Sequence, residues 1–398
     1  MTRAGVYVKQ IGGYQAFIPA PLPPEPPVQF APELIAALSQ ADQAIARLDG
    51  ITWTLPNPDL FVGMYVRREA VLSSQIEGTQ SSLDDVLEFE ADEKGGETPK
   101  DVADVVNYVK AMNHGLERLK ELPVCLRLLR EIHSVLMPGL RGGNRRPGEF
   151  RTGPVWIGAS QKVPIERATF IPPPVDEMHK ALEHFERFLN EERKLPVLVH
   201  SGLAHAQFET IHPFYDGNGR IGRLLITFLL MEREVLRHPL LYLSVFLKRN
   251  RIEYYDRLMA IRNEGDWEGW LRFFLRGVAE TATEATETAV RILELREKHR
   301  KAIREHGLGA DALRLLDYLY QHPLTNVRAV ARELDVAFAT ANKLVGRLEG
   351  LGLLTETTRG RRNRRYRYTA YVALFEEGEP SGISGNQAQV GPQSLPPV

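Results

Sequence analysis

Between His212 and Arg223 the chain reads His212-Pro213-Phe214-Tyr215-Asp216-Gly217-Asn218-Gly219-Arg220-Ile221-Gly222-Arg223. Histidine is the side chain best matched to taking a proton from a hydroxyl near neutral pH. Gly217 and Gly219 permit positive φ and let the backbone approach a ligand closely. Helical patterning starts at Gly219, so the run is a loop feeding a helix whose first N–H groups and dipole favour an anion. Arg220 and Arg223 stand three apart and share a face of that helix. Two guanidiniums beside such a nest suit a polyphosphate. Asp216 is a hard oxygen ligand placed where a Mg²⁺ bridging phosphates would sit. A Gly-Asn-Gly turn alone is an ordinary surface turn. With His, Asp and two helix-spaced arginines around it, a phosphate site is the better reading.

The elements that must position this run are mainly helical. Apolar spacing predicts helices over 32–48, 60–75, 79–90, 101–122, 124–136, 175–190, 196–210 and 219–234, again through the 250s to 270s, and over 278–305. The first thirty or so residues, Pro-rich from Pro19 to Pro27, are expected to be irregular. The only clear β signal in the first three hundred residues is Gly153–Gly158 followed by Ala168–Ile171, two short β-prone runs bounded by Gly and Pro. A hairpin there has no sheet to join and would serve as a flap or a partner-binding edge. Gly307 and Gly309 mark a linker before a compact C-terminal segment. The tail 378–398, rich in Gly, Pro, Ser and Gln, is expected to be disordered.

The run 212–223 resembles the motif of the Fic family, H-x-F-x-[D/E]-G-N-[G/K]-R-x-x-R, at every defined position, and the resemblance extends over roughly 60–290. It implies a mainly α fold: a helical Fic core with a β-hairpin flap, here 152–173, and it implies transfer of AMP from ATP to a Ser, Thr or Tyr hydroxyl of a protein. By the same resemblance His212 is the base, Phe214 anchors the loop and Asp216 holds Mg²⁺. Gly217, Asn218, Gly219, Arg220 and Arg223 hold the nucleotide's phosphates, and Ile221 and Gly222 belong to the same ATP-binding run. Ile157, Gly158, Ala159, Ser160, Tyr254 and Tyr255 line the nucleotide pocket, and a target protein lies extended along the flap. Family members that transfer phosphoryl groups carry Lys where this chain has Gly219. Glycine leaves room for α- and β-phosphates and places the α-phosphorus in line with the hydroxyl.

Upstream, Ser73-Ser74-Gln75-Ile76-Glu77-Gly78 matches the family's inhibitory pattern, [S/T]-x-x-x-E-[G/N]. On a helix Ser73 and Glu77 lie one turn apart on one face, and Gly78 ends the helix near the carboxylate. A carboxylate aimed at Arg223 would remove a γ-phosphate partner and oppose ATP with like charge. The same glutamate could orient water for removal of AMP.

The expected organisation is an N-terminal segment 1–57, a Fic domain 58–290 with its inhibitory helix at 58–78, a helical linker 291–308, and a unit at 309–377. In that unit three helices (311–320, then one from Thr325 as N-cap to Leu334, then 337–350) precede a strand at Gly352–Thr355 and a basic return, Arg359 to Tyr368. They resemble a winged helix-turn-helix. Thr340, Asn342, Lys343 and Arg347 on its third helix suit DNA, and winged helices also take protein partners.

The 398 residues carry a formal net charge of −1, so bulk electrostatics do not make the chain a polyanion binder. Cys125 is the only cysteine, which excludes an intramolecular disulfide and a cysteine-built zinc site. No apolar stretch is long enough to cross a bilayer, and 1–27 does not read as a signal peptide, so a cytoplasmic protein is expected. The expected partners are ATP, a target protein, the chain itself through self-modification or as a homodimer, and DNA; no membrane is expected. A nucleotide-sensing transcriptional regulator is the alternative. An intact His212 and Asp216 favour the enzyme, since a sensor needs no base.

Overall fold

A computed structural model describes residues 2–53, 58–92, 99–138, 146–158, 164–191, 194–358 and 363–376. The chain opens with an antiparallel pair, β1 (Gly5–Lys9) and β2 (Gln15–Pro19), in register from Gly5 opposite Pro19 to Lys9 opposite Gln15. Helices α1 (Pro32–Thr52), α2 (Asp59–Ile76), α3 (Leu83–Glu90), α4 (Lys100–Arg118), α5 (Leu126–Leu136), α6 (Val175–Asn190) and α7 (Val197–Ile211) follow. Then come α8 (Asn218–Glu232), α9 (Ser244–Arg249), α10 (Arg251–Glu264) and α11 (Trp267–Glu305). The C-terminal unit comprises α12 (Ala310–Gln321), β3 (Leu324–Asn326), α13 (Val327–Leu334), α14 (Phe338–Gly350), β4 (Thr355–Glu356), β5 (Arg365–Arg367) and α15 (Thr369–Glu376). The fold is mainly helical, as the apolar spacing predicts.

The functional run sits where α7 meets α8. Almost all of α7 is buried, which its apolar, small-residue sequence allows, and α8 packs along it. The long α11 closes this core from the other side, its Trp270 donating to the Gly202 carbonyl at 2.8 Å. Asp266 caps α11 by accepting from the Gly269 N–H at 2.9 Å. α2 lies against α4, α8 and α9, so the expected inhibitory helix is a core element. A capping box, Ser82 with Asp85, starts α3 immediately beyond it.

Four sequence expectations need correction. The N-terminus is an ordered hairpin: Phe17 donates to the Ile171 carbonyl at 2.9 Å and so braces the flap segment. The flap has no strands among its described residues. It is a single antiparallel bridge, Ile157 with Phe170, plus a 3₁₀ turn at Ile165–Arg167, because Gly and Pro at both stems limit the ladder to one residue pair. Ala159 and Ser160 lie outside the described residues. No separate linker helix spans 291–308, since α11 runs unbroken for 39 residues from the core into the C-terminal unit. There Thr325 is a strand residue and Asn326 is the cap of α13, accepting from Ala329 N–H at 2.9 Å.

In the C-terminal unit β5 lies between β3 and β4, all antiparallel, beside α12, α13 and α14. The basic run 359–362 and the tail 377–398 lie outside the described residues. The unit packs on the helical core: Arg367 brackets the Asp84 carboxylate at 3.0 and 3.1 Å, and Phe375 sets its ring edge-on to Tyr65 of α2 at 5.1 Å. No helix among the described residues is long and apolar enough to cross a membrane.

Glu69 is the buried anchor of α2. Its carboxylate accepts from the Ser244 hydroxyl and from Tyr108 Oη at 3.1 Å, and burial nevertheless pushes its pKa up from 4.5 to about 7. The folded protein therefore binds this proton more tightly than the unfolded chain. The associated stability is complete below about pH 4.5 and is lost as pH rises through about 7. Comparing unfolding free energies at pH 5 and pH 8, wild type should lose roughly 2–4 kcal/mol more than Glu69→Gln. Equal pH slopes in the two proteins would show that Glu69 does not titrate in this window.

Candidate active site

His212 ends α7 with φ 50°, ψ 60°, a left-handed conformation that a non-glycine residue holds only under constraint from its surroundings. The constraint is visible on both sides. Its N–H bonds to the Phe208 carbonyl at 2.9 Å, and its carbonyl accepts from Arg151 Nε at 2.9 Å. Burial, then the charges of Arg151 and Arg262, lower its pKa to about 4. The imidazole is thus neutral at physiological pH and able to accept a proton.

From His212 the chain turns through a loop closed on itself. Asn218 accepts from the Phe214 N–H at 2.9 Å and donates to the Phe214 carbonyl at 2.8 Å. The Phe214 ring is fully buried and stacks on His133 at 3.8 Å, nearly parallel. His133 accepts from the Gly148 N–H at 2.9 Å through Nδ1, which leaves Nε2–H to donate to the Asp216 carbonyl at 3.0 Å. Burial, then Arg220, keeps His133 neutral by lowering its pKa to about 3. Gly217 takes φ 80° at the N-cap of α8, where Met137 Sδ would stand 2.8 Å from any added Cβ. Asp216 is partly exposed, with Oδ1 accepting from the Gly217 N–H at 2.7 Å and lying 3.9 Å from Arg220.

At the start of α8 the two arginines are buried beside Gly219. Arg223 donates Nε to Ser73 Oγ at 2.8 Å, Nη2 to the Ser73 carbonyl at 3.0 Å, and Nη2 again to Glu77 Oε1 at 2.8 Å. Glu77 caps α2, Gly78 follows with φ 96°, and Glu77 Oε1 sits 2.2 Å from where a Cβ on Gly219 would stand. The carboxylate therefore lies over the first turn of α8, in the space open to an anion. Burial raises its pKa, but Arg223, with Arg220 and His212, outweighs that and leaves it below the usual carboxylate range.

Several expected nucleotide contacts fall elsewhere. Ile221 is fully buried in the core, and Gly222 faces Glu209 and His205, where a Cβ would stand 2.5 Å from Glu209 Oε1. Tyr254 is buried to 1% exposure and its hydroxyl bonds to His205 Nε2 at 2.8 Å, so it props α7 from behind. Tyr255 is partly exposed and feels the Glu77 charge; burial, then that charge, push its pKa to about 12. Ile157 and Gly158 lie in the flap segment. Residue spacing carries no signal for Arg151. His133 had a signal, a polar residue on the apolar face of α5 among Leu129, Ile132 and Leu136.

Residues 35–117 match the Fic/DOC family N-terminal domain, and residues 123–230 match the Fic/DOC family domain. The chain belongs to the Fic family. Over 128 residues, 32% of this chain, it is 34% identical to the protein adenylyltransferase Fic of Drosophila sechellia, matching 23% of that protein's length. With the protein adenylyltransferase Fic of Aedes aegypti it shares 35% identity over 129 residues, 32% of this chain and 22% of that one. The match thus spans under a quarter of the length of these relatives. The crystal structure of a Fic family protein from Desulfovibrio desulfuricans G20 shares the fold, with a TM-score of 0.55 at 20% identity, covering 86% of this chain and 97% of that one.

In this Fic loop, Asn218 is the residue on which the backbone between His212 and α8 closes. Asn218→Ala leaves a buried donor and a buried acceptor of Phe214 unpaired, so unfolding in urea should reveal a loss of about 2–4 kcal/mol. Asn218→Asp keeps the acceptor and should fall between the two. A loss below about 0.5 kcal/mol for the alanine variant would mean that the clamp is not made.

Proposed function

We propose that this Fic protein is an autoinhibited protein adenylyltransferase. One observation carries the reading: Glu77, paired with Arg223, lies over the first turn of α8 beside Gly219, a short distance along the loop from a neutral His212. With Glu77 withdrawn, Arg223 and Arg220 are free to receive phosphate oxygens, and the α8 N–H groups add to that nest. His212 takes the proton of a protein hydroxyl. A bond forms between that oxygen and the α-phosphorus as the bond to the bridging oxygen breaks, leaving AMP on the protein and releasing pyrophosphate. His212 is held in register by its left-handed backbone and in the right protonation state by burial and two arginines.

Mg²⁺ fits Asp216 in one respect, a partly exposed carboxylate at the mouth of the phosphate site, the single-carboxylate arrangement typical of metals that share ligands with substrate phosphates. Bound there with the nucleotide, it would neutralise phosphate charge. Among the described residues no cluster of three or more His, Cys, Asp or Glu side chains forms a metal site without a nucleotide.

The proposed partners are ATP, a target protein laid along the 152–173 segment, and the chain itself through self-modification. The C-terminal unit is read as a winged helix whose α14 exposes Thr340, Asn342, Lys343 and Arg347 to duplex DNA.

The reading is tested by incubating wild type, Glu77→Gly and Glu77→Gly/His212→Ala with ATP labelled at the α- or the γ-phosphate. Glu77→Gly should self-label from the α-phosphate only, roughly ten- to a hundredfold faster than wild type. The added His212→Ala should reduce that rate on the order of 10²–10⁴-fold. Label retained from the γ-phosphate would make the protein a kinase. No gain in the glycine variant would remove Glu77 from the inhibitory role.

A further inference from the structure

Arg151 is fully buried, immediately upstream of the flap stem, and among the described residues no carboxylate bonds to it. Its partners are carbonyls drawn from two places. Nε donates to His212 O at 2.9 Å, while Nη1 reaches Gly153 O at 3.1 Å and Nη2 reaches Pro173 O at 2.6 Å. Its own N–H donates to Pro213 O at 2.9 Å. One guanidinium therefore ties the carbonyl of the proposed base to both stems of the segment that would carry the target. Burying a cation costs far more than burying a neutral donor, and a lysine offers no planar fork to bridge three divergent carbonyls.

Other contacts converge on the same junction. Tyr215 Oη accepts from the Thr152 N–H at 3.1 Å. The Arg262 guanidinium lies 3.6 Å from the centre of the Phe170 ring at the far side of the flap, and its Nε bonds to Thr210 Oγ1 at 3.2 Å, two residues before His212. The loop bearing the base and the two flap stems thus form one braced unit with Arg151 at its centre.

We propose that Arg151 is a positioning residue for transfer, registering the His212 backbone against both flap stems so that base and incoming hydroxyl are set by a single side chain. This rests on the reading of His212 as base and the flap as target platform. Two consequences follow. The strained backbone of His212 depends on its carbonyl being held, so loss of the fork lets the imidazole drift, and misplacement by about 1 Å costs roughly 10²-fold in rate. The second is electrostatic. The charged groups facing His212 are Arg151 from the pre-flap loop, Arg262 from α10 and Glu77 from the end of α2, and the backbone of Glu209 on α7 bonds to it. Arg151 and Arg262 oppose protonation of the imidazole and Glu77 favours it.

The test uses the full chain carrying Glu77→Gly, with Arg151→Lys and Arg151→Met added separately. Self-labelling from α-labelled ATP is followed against ATP concentration and pH, and thermal unfolding confirms that each variant folds. Both variants should lose roughly 10²-fold in kcat with KM for ATP changed by less than about threefold. The acid limb of the pH profile should move to higher pH in the methionine variant, which lacks the charge, and stay in place in the lysine variant. Folded variants with kcat within about threefold of the parent would overturn the proposal. So would kcat and ATP affinity falling together with unchanged pH profiles, the mark of general loosening. A Glu77→Gly parent that acquires no α-label would instead defeat the reading of His212 on which the proposal stands.

Discussion

The ion pair between Glu77 and Arg223 is the contact on which the organisation of this molecule turns. Arg223 is almost completely buried, and an unpaired guanidinium there would be expensive. Its three bonds all go to the last turn of α2, two to Ser73 and one to Glu77. In the proposed enzyme the same cation is required by the γ-phosphate. Inhibitor and substrate therefore compete for one buried charge, and the fold supplies the compensation whichever occupies the site. Gly219 makes the competition steric as well, since only the absence of a side chain leaves room for either anion.

Holding Glu77 in place is a task shared across the whole domain. α2 presents Glu69, Ser73 and Glu77 at successive four-residue steps, so one face carries its anchor to Ser244 and Tyr108, its bond to Arg223 and the carboxylate proposed to inhibit. One step earlier on the same stripe, Tyr65 meets Phe375 of the C-terminal unit, and Arg367 reaches Asp84 at the start of α3. α11, unbroken from Trp267 to Glu305, spans core and C-terminal unit as one continuous helix. The proposed brake is thus a core helix packed against α4, α8 and α9, with its carboxylate partly exposed at the tip.

Local chemistry was legible in the sequence and distant chemistry was not. The loop from His212 to Arg223 and the Ser73–Glu77 spacing could be read because their geometry is dictated by neighbours in the chain: a left-handed turn, a helix start, a four-residue step. Helix positions followed from apolar spacing for the same reason. The N-terminal hairpin escaped because its short strands carry little alternation and Gly12-Gly13 and the Pro-rich run after it read as loop. The flap pairing was overestimated because β-prone runs between Gly and Pro stems make only one bridge. The family resemblance places Tyr254 with Tyr255 at the nucleotide, yet on a helix neighbours point apart, and packing against Trp270 and His205 puts Tyr254 inside. Arg151 was invisible because its four bonds go to residues 153, 173, 212 and 213, a set no spacing rule connects.

Competition for Arg223 is specific to the terminal phosphate, and that makes it measurable without turnover. ATP and ADP affinities by titration calorimetry, for His212→Ala with and without Glu77→Gly, address it directly. If Glu77 occupies the γ-phosphate position, its removal tightens ATP by roughly tenfold or more and ADP by less than about threefold. Equal gains for both nucleotides, or none for ATP, would contradict the claim that this carboxylate stands where the γ-phosphate must bind.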